Sequence, residues 1–253
     1  MEKETTSEKR AVITPKEERI LHTRSGGFCA LCGTVLTVSI SDEAYKCIGE
    51  NAHICGERPK AARYNKEISE TERNSYKNLI YLCANCHTVI DSDEKKYTVD
   101  ELHRIKNEHE MKVLNKLKEE SLNTSFAELD ILIKYLVVNK SSEVEMQYDL
   151  TPIIEKIAKN KLNDVTEFIN MGMIQLLKIE DFLNRMPDVH YSDRLTKCMS
   201  DKYIELKNMQ RDEIVIFDEL WTYASAGHNE NRYRASALGI VVYFFEKCEV
   251  FEK

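Results

Sequence analysis

NLIYLCANCHTVID, residues 78–91, is the stretch on which the reading of this chain turns. An apolar run, Leu79 to Leu82, leads straight into Cys83, and a second thiol, Cys86, stands directly before His87. A short β-forming run followed by a segment with helix-compatible spacing predicts a strand, LIYLC, turning into a helix that begins at ANCHTVID. The thiol pair beside a histidine has two readings. Either the stretch holds a metal that ties the fold together, or the metal props up a chemical site next to it.

A matching pair lies upstream, Cys29-x2-Cys32. Two residues between thiolates let both sulfurs point at one ion, and four sulfurs at about 2.3 Å satisfy tetrahedral zinc. One such pair is weak evidence, whereas two in one small region point to structural zinc on Cys29, Cys32, Cys83 and Cys86. The alternatives are four buried thiols or a redox pair, and no βαβ pattern supports the redox version. The wide gap between the pairs implies an ion that pins an inserted motif rather than a self-contained finger. Cys47 and Cys55 flank His53 and read as small apolar fillers, with a second metal site as the sharper option. Cys198 and Cys248 fall in helical segments and read as core.

The bulk numbers narrow the classes. A chain of 253 residues suffices for one large domain or two ordinary ones. With 42% hydrophobic and 31% charged residues, a soluble globular protein is expected. The longest apolar run, ASALGIVVYFF at 235–245, is too short to span a bilayer and reads as a buried helix. MEKETTSEKR at the N-terminus is polar and charged, unlike a signal peptide, so a cytoplasmic location without membrane contact is expected. The net charge of −7 argues against a non-specific nucleic-acid binder, but it sits mostly beyond residue 120. Residues 57–77 are locally basic, and Arg58, Lys60, Arg63 and Arg73 there are candidate phosphate contacts, against the plainer reading of a solvated mixed-charge loop.

Local signals give the order of elements. Thr14-Pro15-Lys16-Glu17 is a capping box that opens a helix over 15–25, stopped by Gly26-Gly27. TVLTVSI and YKCIGENAHIC read as extended segments, the second ending at His53, and residues 56–77 as a long polar loop. Thr98-Val99-Asp100-Glu101 opens a helix running to about 120. SLNTS, 121–125, is the linker candidate, and helices follow at 126–138, 151–171, 179–186, 192–210, 212–226 and 233–246, broken by Gly172, Pro187 and Gly227-His228-Asn229. His22, His103 and His109 read as ordinary helix residues.

His53, Asn78 and His87, in that order and framed by two CxxC pairs, resemble the HNH family of metal-dependent nucleases. The match covers roughly residues 26–110. Its most specific elements are AHI at 52–54, ETERN at 70–74 and NLIYLCANCHTVID, and YTVDELHRIKNEHE looks like the helix that closes such domains. The resemblance implies an α+β protein. A small zinc-stabilised ββα-metal domain would occupy residues 1–120, and a mainly α-helical domain residues 121–253. It also implies an endonuclease hydrolysing phosphodiester bonds of DNA, with RNA as the other substrate.

The chemistry fits the residues named. An attacking water needs a base, and a cation must take the charge that builds on the phosphate. An imidazole, titrating near about 6.5, can take a proton at neutral pH. By resemblance His53 is that base, His87 holds a hydrated Mg²⁺ or Mn²⁺, and Asn78 fixes the local loop so that His53 stays oriented. One departure is Ala52, where many relatives place a metal-binding carboxylate or histidine. Glu50, Asn51, water or the substrate phosphate would have to substitute. Asp91 reads first as a turn-ordering residue and only second as catalytic.

The second half shows no ligand cluster and no phosphate loop. EKIAKNKL at 155–162 and the terminal ASALGIVVYFFEKCEVFEK resemble the C-terminal module of effectors in ABC-ATPase-linked three-component anti-phage systems. That resemblance implies docking on a protein partner such as an ATPase; self-association of the chain is a further option. Trp221, Tyr243, Phe244 and Phe245 read as core, with a docking face as the alternative. The rival to a nuclease is a zinc-stabilised nucleic-acid-binding or adaptor protein that does not cut.

Overall fold

Thr14 opens helix α1 (Pro15–Ser25) with its hydroxyl, which accepts from the Glu17 amide at 3.3 Å, while Pro15 supplies the preset φ of a first helical residue. Gly26, at φ 65°, ends the helix in the left-handed region. The computed structural model describes residues 12–41, 44–138, 151–188, 190–247 and 250–251, so Cys248 and the first eleven residues lie outside the described part. Strands β1 (Thr37–Ser41) and β2 (Ala44–Cys47) form one antiparallel ribbon. Strand β3 (Glu50–His53) pairs antiparallel with a later strand, and the short helix α2 (Glu70–Arg73) sits in the intervening loop.

That later strand is β4 (Leu79–Leu82), with Glu50 opposite Leu82 and His53 opposite Leu79. Helix α3 (Ala84–Ser92) follows at once and packs on both strands, while α1 covers β4 as well. A strand flanked by two helices is buried on both faces, which is why LIYL is continuously apolar rather than alternating. Tyr81 ties this hairpin to the first ribbon. Its hydroxyl donates to the Leu36 carbonyl and accepts from the Gly49 amide, both at 3.2 Å. Its ring passes so close that a Cβ on Gly49 would lie 2.5 Å from it, which makes glycine necessary there.

Helix α4 (Val99–Asn123) starts at the Thr98 cap and extends through the expected linker. SLNTS is therefore not a flexible joint. It is helical to Asn123, and Thr124 is buried with its hydroxyl donating to Gln175 Oε1 at 2.8 Å. The remainder is helical: α5 (Phe126–Val137), α6 (Ile153–Lys159), α7 (Thr166–Met173), α8 (Leu176–Asn184), α9 (Tyr191–Asn208), α10 (Glu213–Ala224) and α11 (Asn231–Glu246). The helix expected over 151–171 is two helices, because the chain turns at Asn160 and Lys161, the latter at φ 54°, before a 3₁₀ turn at Asn163–Val165. Gly172 does not interrupt α7. It lies where α7 meets α11, and a Cβ there would come within 2.4 Å of Val242.

Helix α11 is the axis of the second half. It packs against α4, α5, α7, α8, α9 and α10, and Ala235 to Val242, Phe244 and Phe245 are all buried. Trp221 is buried too, with its indole N–H donating to the Arg234 carbonyl at 2.7 Å; Tyr243 is half-buried. Two helices serve both halves. On α1, Ile20 belongs to the helical core and Leu21 to the core around β4; on α4, Leu117 and Leu102 divide in the same way. Adjacent residues on a helix face directions about 100° apart, so one helix can close two cores. Arg19 reaches Asp218 at 3.2 Å and Glu219 at 3.5 Å, and Thr23 donates to Asp218 at 2.8 Å. Part of the acidic excess of the second half is thus matched by α1. No helix among the described residues is long and apolar enough to cross a membrane.

Candidate metal and histidine site

The first thiol knuckle is a tight backbone loop. The Cys29 amide donates to the Thr34 carbonyl at 2.8 Å, the Gly33 amide donates to the Cys29 carbonyl at 2.9 Å, and Gly33 takes φ 75°. Ala30 N–H donates to the Tyr81 carbonyl at 2.9 Å, which docks the loop on β4. The second knuckle is the start of α3. Cys83 is its N-cap, its sulfur accepts from the Cys86 amide at 3.4 Å, and the His87 amide donates to the Cys83 carbonyl at 2.9 Å. A cysteine sulfur does here what a serine oxygen does at other helix starts.

The two knuckles converge. The sulfurs of Cys29, Cys32, Cys83 and Cys86 all lie within 4.8 Å of one another, and Cys32 and Cys83 are 3.9 Å apart. A tetrahedron with metal–sulfur bonds of about 2.3 Å has sulfur–sulfur edges of about 3.8 Å, so the four positions suit zinc. The thiols are already electrically uneven. The Thr34 hydroxyl and amide hold Cys32 down to about 6, whereas burial and the neighbouring sulfurs push Cys86 far up. A divalent ion at the centre of the four sulfurs would favour the thiolate form of each. Cys47 is half-buried and Cys55 buried, and neither joins a group of metal-ligand atoms among the described residues. Cys198 is buried, its thiol donating to the Leu136 carbonyl.

Asn78 sits between the long loop and β4 and clasps the chain just past His53. Its Oδ1 accepts from the Cys55 amide at 2.9 Å, and its Nδ2 donates to the Cys55 carbonyl at 3.1 Å and the Arg73 carbonyl at 2.9 Å. The Ile54 amide donates to the Asn78 carbonyl at 2.8 Å. The loop it fixes is the one leaving β3. His53 Nε2 lies 3.1 Å from Asn74 Oδ1. With that oxygen accepting, Nε2 carries the proton and Nδ1 is the basic nitrogen. Asn74 ends the ETERN stretch, and nothing in the sequence singled it out from its neighbours.

His87 makes different contacts. Its Nδ1 lies 2.6 Å from Glu50 Oε2, and its Nε2 lies 3.5 Å from Asp91 Oδ2, one helical turn on. Asp91 also accepts from Arg63 at 2.6 Å. Glu50 and Asn51 project to opposite sides of β3. Glu50 meets α3, whereas Asn51 meets α1, with Oδ1 at 2.9 Å from His22 Nε2 and Nδ2 donating to Glu18 at 3.0 Å. The His22 ring also packs against Tyr81, centroids 4.5 Å apart and tilted by 47°, and burial lowers its pKa. His109 donates to the Ser25 carbonyl at 2.9 Å, and His103 lies on the same helix.

The four candidate phosphate contacts divide into two kinds. Arg63 is 4% exposed at its side chain and donates to the carbonyls of Ile54 (2.9 Å) and Ile90 (2.7 Å) as well as to Asp91. Arg73 is buried, donating to the carbonyls of Gly56 and Asn65 at 2.6 Å and Ile68 at 3.0 Å, with its guanidinium over the Tyr64 ring. These two guanidiniums are internal struts that satisfy loop carbonyls, so they do not present a cation to a phosphate. Arg58 and Lys60 are exposed. A cavity of about 240 Å³ lies elsewhere, at the seam between α1 and α10, lined among others by Arg19, His22, Asp218, Trp221 and Arg234.

Residues 127–252 match the family model CTD10, the C-terminal domain 10 of the ABC-three component (ABC-3C) systems. The matched stretch spans α5 to α11, so the domain coincides with the helical core gathered on α11. The match links the chain to ABC-three component systems, which is consistent with a role in anti-phage defence. No curated protein matches the chain.

Proposed function

We propose that this chain, joined to an ABC-three component system through its CTD10 half, is a metal-dependent endonuclease that hydrolyses phosphodiester bonds of DNA. The observation that carries the reading is the hairpin of β3 and β4 backed by α3. It brings His53, the Asn78 clasp and His87 onto neighbouring elements, with the four-thiol cluster anchoring the first turn of α3. His53, its Nε2 engaged by Asn74, uses Nδ1 to take a proton from the attacking water. Asn78 keeps His53 aimed by holding residues 54 and 55 in place. His87 lies on an exposed helix turn beside two carboxylates, a donor set that would hold Mg²⁺ or Mn²⁺, and the ion would supply positive charge where negative charge develops on the phosphate. Arg58 and Lys60 would meet backbone phosphates. The helical half would dock on another component of the system, such as its ATPase, and so control where and when cleavage occurs.

The test is cleavage of plasmid DNA by the full-length protein with Mg²⁺ or Mn²⁺. Loss of cutting in His53→Ala, with zinc content unchanged, is expected. Undiminished cutting by that variant would remove the mechanism. One observation favours a second reading, a zinc-stabilised nucleic-acid binder without cleavage. Ala52, at the position where relatives carry a metal ligand, is fully buried and offers no donor. Binding of DNA by the wild type with no cleavage in any divalent metal would select that reading.

A further inference from the structure

We infer that Glu50 is the carboxylate ligand of the divalent cation, replacing the ligand that Ala52 cannot provide; this rests on the endonuclease reading above. Three observations carry it. Glu50 and Ala52 are two apart on β3, so their side chains share one face, and the contact of Glu50 with His87 identifies that face as the one toward α3. Ala52 is sealed at 0% exposure in the core with Ile54, Ile80 and Ile90, so a carboxylate there has no route to solvent or substrate. Glu50, by contrast, is 48% exposed at its side chain and places Oε2 at 2.6 Å from His87 Nδ1.

The competing substitutes fail on position. Asn51 faces α1, where His22 and Glu18 occupy both ends of its amide. Asp91 lies on the helix, but one oxygen accepts from the buried Arg63 and the other stands 3.5 Å from His87. Glu50 is the carboxylate in direct contact with the imidazole, at 2.6 Å. One carboxylate and one imidazole, with water completing the shell, match a site that takes Mn²⁺ readily and Mg²⁺ more weakly.

The experiment measures Mn²⁺ binding to the zinc-loaded full-length protein, by loss of the free-ion electron paramagnetic resonance signal, alongside DNA cleavage. Wild type should bind Mn²⁺, Glu50→Gln should weaken binding by about tenfold or more, and Glu108→Gln, at an exposed position of α4, should leave it unchanged. Glu50 is exposed, so zinc content and circular dichroism should match wild type. A positioning role would also weaken binding, so a second variant separates the two. In Glu50→Cys a true ligand gives a thiolate–cadmium charge-transfer band beyond that of wild type when Cd²⁺ is added. Unchanged Mn²⁺ affinity in Glu50→Gln, or no additional band in Glu50→Cys, overturns the assignment while leaving a cleaving wild type intact as a nuclease. A wild type that neither binds Mn²⁺ nor cuts overturns both.

Discussion

Helix α11 buries Ile240, Phe244 and Phe245 almost completely, whereas α3 buries only Ile90 and exposes Val89 and about a third of the His87 side chain around a sulfur-capped first turn. The contrast extends to what surrounds each helix. Six other helices meet α11, and its polar neighbours are few and paired, such as Gln175, which donates to the Ala235 carbonyl at 2.8 Å. Around α3 the order comes from directed bonds: four sulfurs, the Asn78 clasp, and two guanidiniums fixed on carbonyls. Burial gives a thick core held chiefly by apolar packing. Directed bonds give a thin, exact-fitting platform whose exposed groups remain available for chemistry. A small core cannot supply the stability by itself, and zinc on the four thiols would take that part.

Removing zinc should break this comparison most severely. Chelation, or Cys83→Ser with Cys86→Ser, is expected to unfold β3, β4 and α3 while the helices around α11 persist. Structural zinc in small domains is worth on the order of 10 kcal/mol of apparent binding free energy. Hydrogen exchange resolves the two regions directly. Loss of protection in residues 50–92 with retained protection in 231–246 is the expected pattern; a single cooperative collapse of both would mean that α1 and α4 couple the cores more strongly than their shared residues suggest.

Phe244→Ala tests the other side. A fully buried phenylalanine truncated in a well-packed core costs about 3–5 kcal/mol. The expected result is a lowered melting temperature of the helical half with zinc content and Mn²⁺ binding unchanged. If zinc is lost as well, the platform depends on the helical core and the contrast between the halves is false.

The same contrast explains what could be read from the chain alone. Thiol spacing is local, and so is the apolar run of β4; both were legible in the sequence, as was the buried character of ASALGIVVYFF. Arg63 and Arg73 were not. A charge count sees two cations in a basic loop, but the loop has few regular elements of its own, and its carbonyls must find donors from within. Gly172 looked like a helix break because glycine lowers helix propensity; a close helix crossing is a tertiary reason that no local signal carries. SLNTS has the composition of a linker, yet Thr124 is held by Gln175, a residue half a domain away. The pairing of Glu50 with His87 was equally hidden, since it depends on which face of β3 the helix covers.

The smallest expected effect lies at the joint between the halves and depends on pH. Burial lowers the pKa of His109 more than its hydrogen bond to Ser25 and the nearby Glu110 raise it, with Lys112 and Lys106 lowering it further. Burial likewise lowers His22 on α1 and His103 on α4. An unfolded histidine titrates near about 6.5. As pH falls below that value, the unfolded chain binds protons that the folded joint still refuses, so stability declines with acidification. Glu110 acts in a separate, more acid window. Burial raises its pKa, but Lys106 and Arg24 together hold it below the usual carboxylate range, so its contribution is present above about 4.3 and is lost as pH falls through its lower folded value. His109→Gln keeps a donor for the Ser25 carbonyl and removes one titrating group. Its denaturation midpoint should fall less steeply than that of wild type between neutral pH and the carboxylate range. An unchanged slope would place the proton uptake on His22 or His103, and a steeper one would show that His109 is charged in the folded joint.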